Sequence, residues 1–192
     1  MNFMGVIFTV ILILALAHAY DVSHNYINGR ASTKEAEESL EDHNRLRAIH
    51  GCPALKLSES LSEGCASYAI ELAKINTLKH SDGDYGENLC VRSDSPNKCT
   101  QDWYDEIKDY DFSNPGFSSK TGHFTALVWK SSEEMGYGQA VNGSLTFVVV
   151  RYTPAGNVMG KFEENVPSKT GAIMIDVRIG AMALIFFLTH IF

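Results

Sequence analysis

The sequence MGYGQAVNGSLTFVVVRY, residues 135–152, determines the fold class of this 192-residue chain. Its second half, Leu145 to Tyr152, is rich in β-branched and aromatic residues, which favour a buried strand. The first half, Met135 to Val141, is predicted to pair with it across the Asn142-Gly143 turn. Because helical patterns precede this hairpin, we expect a mixed α+β domain rather than a doubly wound sheet.

Two helices are predicted early in the domain. The first begins at the capping box of Ser32 and Glu35 and ends near His50. The second begins at Ser58. Its apolar residues recur at steps of four and three, as a helix facing a core requires: Leu61, Cys65, Tyr68, Leu72 and Ile75.

A third helix is predicted from Thr100 to Tyr110, with Trp103 and Ile107 facing inward. Several polar residues of the first helix are predicted to hold neighbouring loops through their side chains. Several aromatic residues are predicted to lie in the core or in the wall of a cleft. The polar set is His43, Asn44 and Arg47, and the aromatic set is Trp103, Phe124, Trp129 and Tyr152. Pro154 and Gly156 are expected to set a turn.

The net charge of the chain is −7, and its pI is near 5.4. Nucleic-acid binding requires a basic face, so the composition argues against a nucleic-acid partner. The region between the charge-free ends has an ordinary soluble composition and the length of one domain. We therefore expect a single globular domain at 33–168.

The N-terminal 19 residues contain no Asp, Glu, Lys or Arg and end in Ala17-His18-Ala19, the small-x-small pattern of a signal peptidase site. We interpret 1–19 as a cleaved signal peptide, followed by a flexible lead at 20–32. A retained anchor is the alternative, since no Lys or Arg precedes the apolar run. N-myristoylation is excluded because Asn2 follows the initiator Met.

The segment 169–192 is a hydrophobic tail that lacks charge from Ile179 onward. It has the order of a glycosylphosphatidylinositol (GPI) anchor signal, with Ser168 or Gly171 as the attachment residue. One alternative is a membrane-spanning helix, which would carry Asp176 and Arg178 into the lipid. The other is a tail that is not processed. We therefore expect an extracellular protein that is either secreted or tethered at the cell surface by a GPI anchor.

Four cysteines in a secreted chain predict disulfides. Three pairings are formally open, and pairing of neighbours, Cys52 with Cys65 and Cys90 with Cys99, is favoured. A zinc site built on cysteine is disfavoured because the CxxC spacing is absent. The sequon at Asn142 predicts an exposed glycosylation site.

Candidate chemistry is limited to histidines and glutamates found beside other informative residues. The candidates are His43, His80, Glu87, Glu106 and His123. Their spacings do not place them on one helix face, and the sequence has no HExxH, GxSxG or phosphate-binding glycine loop. From the residues alone, each histidine is best explained as an ordinary hydrogen-bonded or surface residue.

Several segments resemble the signatures of the CAP superfamily, which includes cysteine-rich secretory proteins, insect venom antigens and plant pathogenesis-related proteins. The segments are HNRLRAIHGCPALKL, LKHSDGDYGENL, WYDEIKDYDF, GHFTALVW and FVVVRYTPAGN. RYTPAGN and FEENV resemble in particular a member with a myristoylated glycine and no signal peptide. This sequence departs from that member at its N-terminus and in its four cysteines. It also carries Arg151 where many secreted members have a cysteine.

The resemblance implies an α-β-α sandwich with a small antiparallel sheet between the helices and a cleft, and it assigns His80, Glu87, Glu106 and His123 as the His/Glu tetrad of that cleft. Two imidazoles and two carboxylates suit a divalent cation such as zinc. The implied function is non-enzymatic binding of a lipid, a sterol or a protein partner. The alternatives are a tetrad that serves only as a hydrogen-bonded scaffold and a metal-assisted peptidase with Glu87 or Glu106 as base.

Overall fold

The computed structural model describes residues 33–170. The segments predicted as signal peptide and lead, the predicted cap at Ser32 and nearly all of the C-terminal segment 169–192 therefore lie outside the described residues. Within the described part of the chain, no helix combines the length and apolar character needed to cross a bilayer.

Five helices and four strands follow one another along the described chain. In order they are α1 (Thr33–Ile49), β1 (Lys56–Leu57), α2 (Glu59–Ile75), β2 (Gly86–Arg92), α3 (Lys98–Asp105), α4 (Gly122–Leu127), β3 (Glu134–Asn142), β4 (Leu145–Thr153) and α5 (Phe162–Asn165). A 3₁₀ turn at Glu106–Asp109 extends α3. The first two helices, with Ser58 as the N-cap of α2, agree with the sequence prediction.

The sheet has the order β1-β3-β4-β2. The hairpin pairs Met135 with Tyr152 and Asn142 with Leu145, as the sequence predicted, and Gly143 turns the chain with a φ of 61°. β2 runs antiparallel to β4 along the far edge. The short β1 is parallel to β3, so the sheet is mixed rather than wholly antiparallel.

Each face of the sheet is covered by helix, which gives three layers. On one face, α2 packs on inward side chains such as Leu89, Phe147 and Val149. On the other face, α1, α3 and α4 enclose a larger core that contains Trp103, Phe124, Trp129 and Tyr152, all buried. The α-β-α sandwich is confirmed.

The buried face of α2 keeps Cys65 and Leu72 of the predicted stripe but is otherwise made of alanines. Its buried residues are Cys65, Ala66, Ala69, Leu72 and Ala73, whereas Ile75 is exposed. The cause lies in β3, because a Cβ added to Gly136 or Gly138 would overlap the backbone of α2. The two glycines allow the helix to approach so closely that mainly small side chains fit between.

Two of the three polar residues of α1 predicted to hold neighbouring loops, Asn44 and Arg47, do so, whereas His43 binds Ser39 of its own helix and Tyr152 of β4. Arg47 donates to the carbonyls of Pro53, Leu127, Trp129 and Ser132 at 2.8–3.0 Å. Asn44 donates to the carbonyl of Leu55 at 3.0 Å and accepts from its N–H at 2.7 Å. These bonds hold the chain before β1 and the chain after α4 against one helix.

One of the two predicted disulfides is present and the other is wrong. Cys90 and Cys99 are joined, which links β2 to α3. Cys52 and Cys65 are buried free thiols. Cys65 lies on α2 against one face of the sheet, whereas the Cys52 thiol donates to the carbonyl of Val128 in the core on the other face. The sheet separates the two sulfurs, so proximity in sequence did not predict their pairing.

Candidate functional site

The first histidine–glutamate pair joins the loop after α2 to the start of β2. The Nδ1 of His80 donates to Oε1 of Glu87 at 2.9 Å. The His80 side chain is 62% exposed, whereas the Glu87 carboxylate beneath it is only 5% exposed. The hydrogen bond to Glu87 raises the pKa of His80. The pair therefore presents an imidazole to solvent over a buried negative charge.

Both oxygens of Glu87 are occupied by donors from the protein. Oε1 also accepts from the backbone N–H of Ser81 at 3.0 Å, and Oε2 accepts from Ser81 Oγ at 2.6 Å and from Nε of Arg151 at 3.1 Å. Burial by itself would raise the pKa of Glu87, but hydrogen bonds from His80, Ser81 and Arg151 lower it to about 2. Glu87 is consequently a fixed anion and a weak base.

Arg151 is itself held in a stacked arrangement. Its guanidinium lies 4.2 Å from the ring centroid of Tyr85 and 5.2 Å from that of Tyr68, and Nη2 donates to Ser81 Oγ at 3.0 Å. A cleft of about 620 Å³ opens beside this group on the α2 face, lined in part by His80 and Ile75. A cysteine at position 151 could not supply these contacts.

The second pair lies between the end of α3 and the start of α4. The Nδ1 of His123 donates to Oε1 of Glu106 at 2.6 Å, while Oε2 accepts from the backbone N–H groups of His123 and Phe124 at 3.0 and 3.1 Å. The His123 ring stacks on Trp103, with centroids 6.2 Å apart and an interplanar angle of 22°. Glu106 thereby fixes both the imidazole and the first turn of α4.

The structure brings the four tetrad residues together as two pairs rather than as one cluster. Over residues 33–170, no group of three or more His, Cys, Asp or Glu side chains is arranged to hold a metal ion. The two pairs are linked by β2, because Glu87 holds His80 while the next residue, Asn88, donates to the carbonyl of His123 at 3.1 Å. Because consecutive side chains of a strand point to opposite faces, the two pairs lie on the two sides of β2, which is an edge strand of the sheet.

Sequence reasoning missed Ser81, Asn88 and Arg151 as members of the site. Ser81 and Asn88 directly follow two of the predicted residues, and Arg151 is an isolated charge in the apolar strand FVVVRY. A buried charge requires a partner, so Arg151 carried a signal that could have been used. His43 contacts the site indirectly, through the hydroxyl of Tyr152.

Three large apolar side chains lie exposed near the second pair. Phe117 is 55% exposed and packs against Gly122, while the side-chain amide of Asn157 donates to the Gly122 carbonyl at 2.9 Å. The two residues after Asn157 are Val158 and Met159, which are 48% and 76% exposed. We call Phe117, Val158 and Met159 the apolar patch.

Comparison with known proteins identifies the family. The sequence profile described as the cysteine-rich secretory protein family, CAP, matches residues 40–152, a range that contains both histidine–glutamate pairs. The chain belongs to the CAP family. Human Golgi-associated plant pathogenesis-related protein 1 is 47% identical to the chain over 148 residues, which are 72% of the chain and 96% of that protein.

Two fungal CAP relatives are longer. Saccharomyces cerevisiae Protein PRY2 and Candida albicans Secreted protein RBT4 are each 39% identical, over 66% and 71% of the chain. The chain spans 39% of the length of each. The match to them therefore concerns the CAP domain only.

Solved structures share the fold of this CAP domain. A structure described as NaASP2 with Zn2+ aligns with a TM-score of 0.58 over 74% of the chain and 88% of its own, at 22% identity. Schistosoma mansoni venom allergen-like protein 4 aligns with a TM-score of 0.57 over 72% of the chain and 97% of its own, at 21% identity. At such identities the likeness establishes the three-layer architecture.

Proposed function

We propose that this CAP protein is a secreted, non-enzymatic binding protein that holds a divalent cation such as zinc between His80 and His123 and contacts lipid through the apolar patch. One observation, made in both pairs, supports cation binding: each imidazole donates from Nδ1 to a carboxylate. Metal-binding histidines commonly make this bond with the nitrogen that does not bind the metal. It leaves Nε2 of each ring as the ligand atom.

The donor chemistry of the site fits a zinc-type ion. Neutral imidazole nitrogen suits Zn²⁺, and the carboxylates behind the rings, buried for Glu87 and half-buried for Glu106, offset the charge of a cation. Bound there, the ion would supply a fixed positive charge at the free edge of β2. NaASP2, a fold neighbour, has been crystallised with Zn²⁺.

The alternative function, a metal-assisted peptidase, has less support. A general base needs an accessible oxygen and a pKa near the working pH. Hydrogen bonds occupy both oxygens of Glu87 and of Glu106, and the pKa of Glu87 is about 2. The two free thiols do not supply a nucleophile either, because burial raises the pKa of Cys52 and raises that of Cys65 to about 12.

Zinc titration by calorimetry at pH 7.5 tests the cation. We expect one site per chain in the wild type and an affinity reduced at least tenfold in His80→Ala and in His123→Ala. Glu163→Gln, which removes an exposed carboxylate outside the site, is the control and should bind like the wild type. Unchanged binding by the His80→Ala/His123→Ala double variant would refute the assignment. Cleavage of a peptide library that disappears in Glu106→Gln would restore the peptidase.

The apolar patch is the basis for lipid binding. We propose that it binds membrane lipid or sterol rather than a protein partner. Exposed apolar side chains that lie together on a soluble domain commonly mark an interaction surface. The test is co-flotation of the purified domain with phosphatidylcholine vesicles with and without cholesterol. Phe117→Ser/Met159→Ser should lower binding, whereas Ile75→Ser, an equally exposed residue on α2, should not. Equal loss in both variants would contradict the patch.

Secretion and tethering complete the proposal. The apolar N-terminal segment and a relative named as secreted support export, and the order of the C-terminal tail supports a GPI anchor. Phosphatidylinositol-specific phospholipase should release the protein from expressing cells. Retention on the cells, or an intact Phe192 terminus by mass spectrometry, would contradict the anchor.

A further inference from the structure

Asn88 is the buried residue through which the two histidine–glutamate pairs are connected. It follows Glu87 on β2, and strand alternation directs the two side chains to opposite faces of the sheet. The Asn88 amide donates one N–H to the carbonyl of His123 and the other to the hydroxyl of Tyr152, both at 3.1 Å. Both donor hydrogens of the amide are therefore used.

The Asn88 contact is supported by a series of buried hydrogen bonds that ends on α1. Since the Tyr152 hydroxyl accepts from Asn88, it donates to Nε2 of His43 at 2.9 Å, and Nδ1 of His43 donates to the carbonyl of Ser39 at 2.7 Å. Asn88, Tyr152 and His43 are at most 1% exposed. Burial lowers the pKa of His43 to about 4, so the ring is neutral and able to accept at neutral pH. The donor and the acceptor of every hydrogen bond in this series are thus defined.

We propose that Asn88 is a positioning residue that fixes the separation of His80 and His123 and thereby makes them act as one two-imidazole cation site. This inference rests on the proposed function. Glu87 orients the imidazole of His80, and Asn88 ties the backbone of His123 to the adjacent position of the same strand. Two ligands fixed to consecutive residues of one strand need little reorganisation to share an ion.

A double-mutant cycle with zinc alone as the probe tests the inference. Asn88→Ala should lower zinc affinity roughly 10- to 100-fold in the wild-type background. In the His80→Ala background it should have no further effect, because a single imidazole does not depend on the separation. Equal losses in both backgrounds would overturn the positioning role, since they would indicate general damage to His123.

Asn165→Ala is the matched control. Asn165 is also a buried asparagine with both ends of its amide bonded. Its amide nitrogen donates to the carbonyl of Lys161, which precedes α5, and its amide oxygen accepts from the backbone N–H of Ser131 in the loop between α4 and β3. It should lower thermal stability as Asn88→Ala does while leaving zinc affinity unchanged. Tyr152→Phe provides a milder variant that keeps the bond to His123 and should lower zinc affinity less than Asn88→Ala does.

The outcomes separate the two proposals. If the wild type binds zinc and Asn88→Ala binds it equally well, the positioning role fails while the cation site stands. If the wild type binds no zinc, the cation site fails and the positioning role with it. If Asn165→Ala weakens zinc binding as much as Asn88→Ala, the effect reflects stability, and the positioning role is refuted.

Discussion

Arg151 donates from Nε to Oε2 of Glu87 at 3.1 Å, and the two side chains are only 9% and 5% exposed. Removing one partner of a buried ion pair leaves an uncompensated charge that has lost its solvation. We expect Arg151→Met to lower the free energy of unfolding by roughly 3–5 kcal/mol in urea denaturation. The pKa of Glu87 should rise in the same variant, as carboxyl NMR titration can check.

The matched change is Arg92→Met, which breaks the pairs of a half-exposed arginine with the exposed carboxylates of Asp94 and Asp102. Its loss of stability should be much smaller, because water screens exposed ion pairs. Equal losses in Arg92→Met and Arg151→Met would show that the Glu87 network is not the source of the effect.

The contact between β3 and α2 predicts a strong response at Gly138. A Cβ at this position would overlap the backbone of Cys65 and Ala66, which cannot move like a flexible side chain. Gly138→Ala should therefore cost about 3 kcal/mol or more, or prevent folding. Gly116→Ala, where an added Cβ meets no atom within 4 Å, should be neutral or slightly stabilising by thermal melting. Wild-type stability in Gly138→Ala would disprove the close packing.

The distribution of the cysteines predicts a definite pattern of thiol labelling. In the absence of reductant, a maleimide reagent should label no cysteine in the native protein and two, Cys52 and Cys65, after unfolding in urea. Prior reduction should add Cys90 and Cys99. Mass spectrometry counts the labels. An unfolded, unreduced chain that takes no label would mean that a second disulfide exists.

Elements whose signals are local could be predicted from the sequence. The hairpin at residues 135–152 and the start of α2 at Ser58 depend on neighbouring residues, and both are confirmed. β2 was missed because GENLCVR lacks an alternating pattern. It is an edge strand, and its first residues are used for the site: Glu87 binds His80 and Asn88 binds the chain at His123.

Features that depend on distant packing could not be predicted. Which face of α2 is buried is decided by two glycines more than sixty positions later, and the separation of Cys52 from Cys65 is decided by a sheet that forms between them. The tetrad residues came from the family resemblance rather than from any local pattern. Their grouping into two pairs joined by β2 appears only once the strands are placed.

The buried His43 predicts that stability falls as the pH decreases below neutrality. Burial lowers the pKa of His43 to about 4, so from pH 6.5 to about 4 the unfolded chain binds a proton that the folded chain excludes. The free energy of unfolding should decline across this window by an amount on the order of 3 kcal/mol from this residue. His50, whose pKa is also lowered by burial, acts in the same direction. His80 acts in the opposite direction. Its pKa is raised, so its contribution to stability is present below pH 6.5 and is lost as the pH rises, but its exposure keeps that contribution small.

Urea denaturation in steps from pH 7.5 to pH 4 measures how the free energy of unfolding depends on pH. His43→Gln, which cannot titrate, should flatten this dependence while leaving the part that belongs to His50. A slope in His43→Gln equal to that of the wild type would show that another group carries the pH dependence.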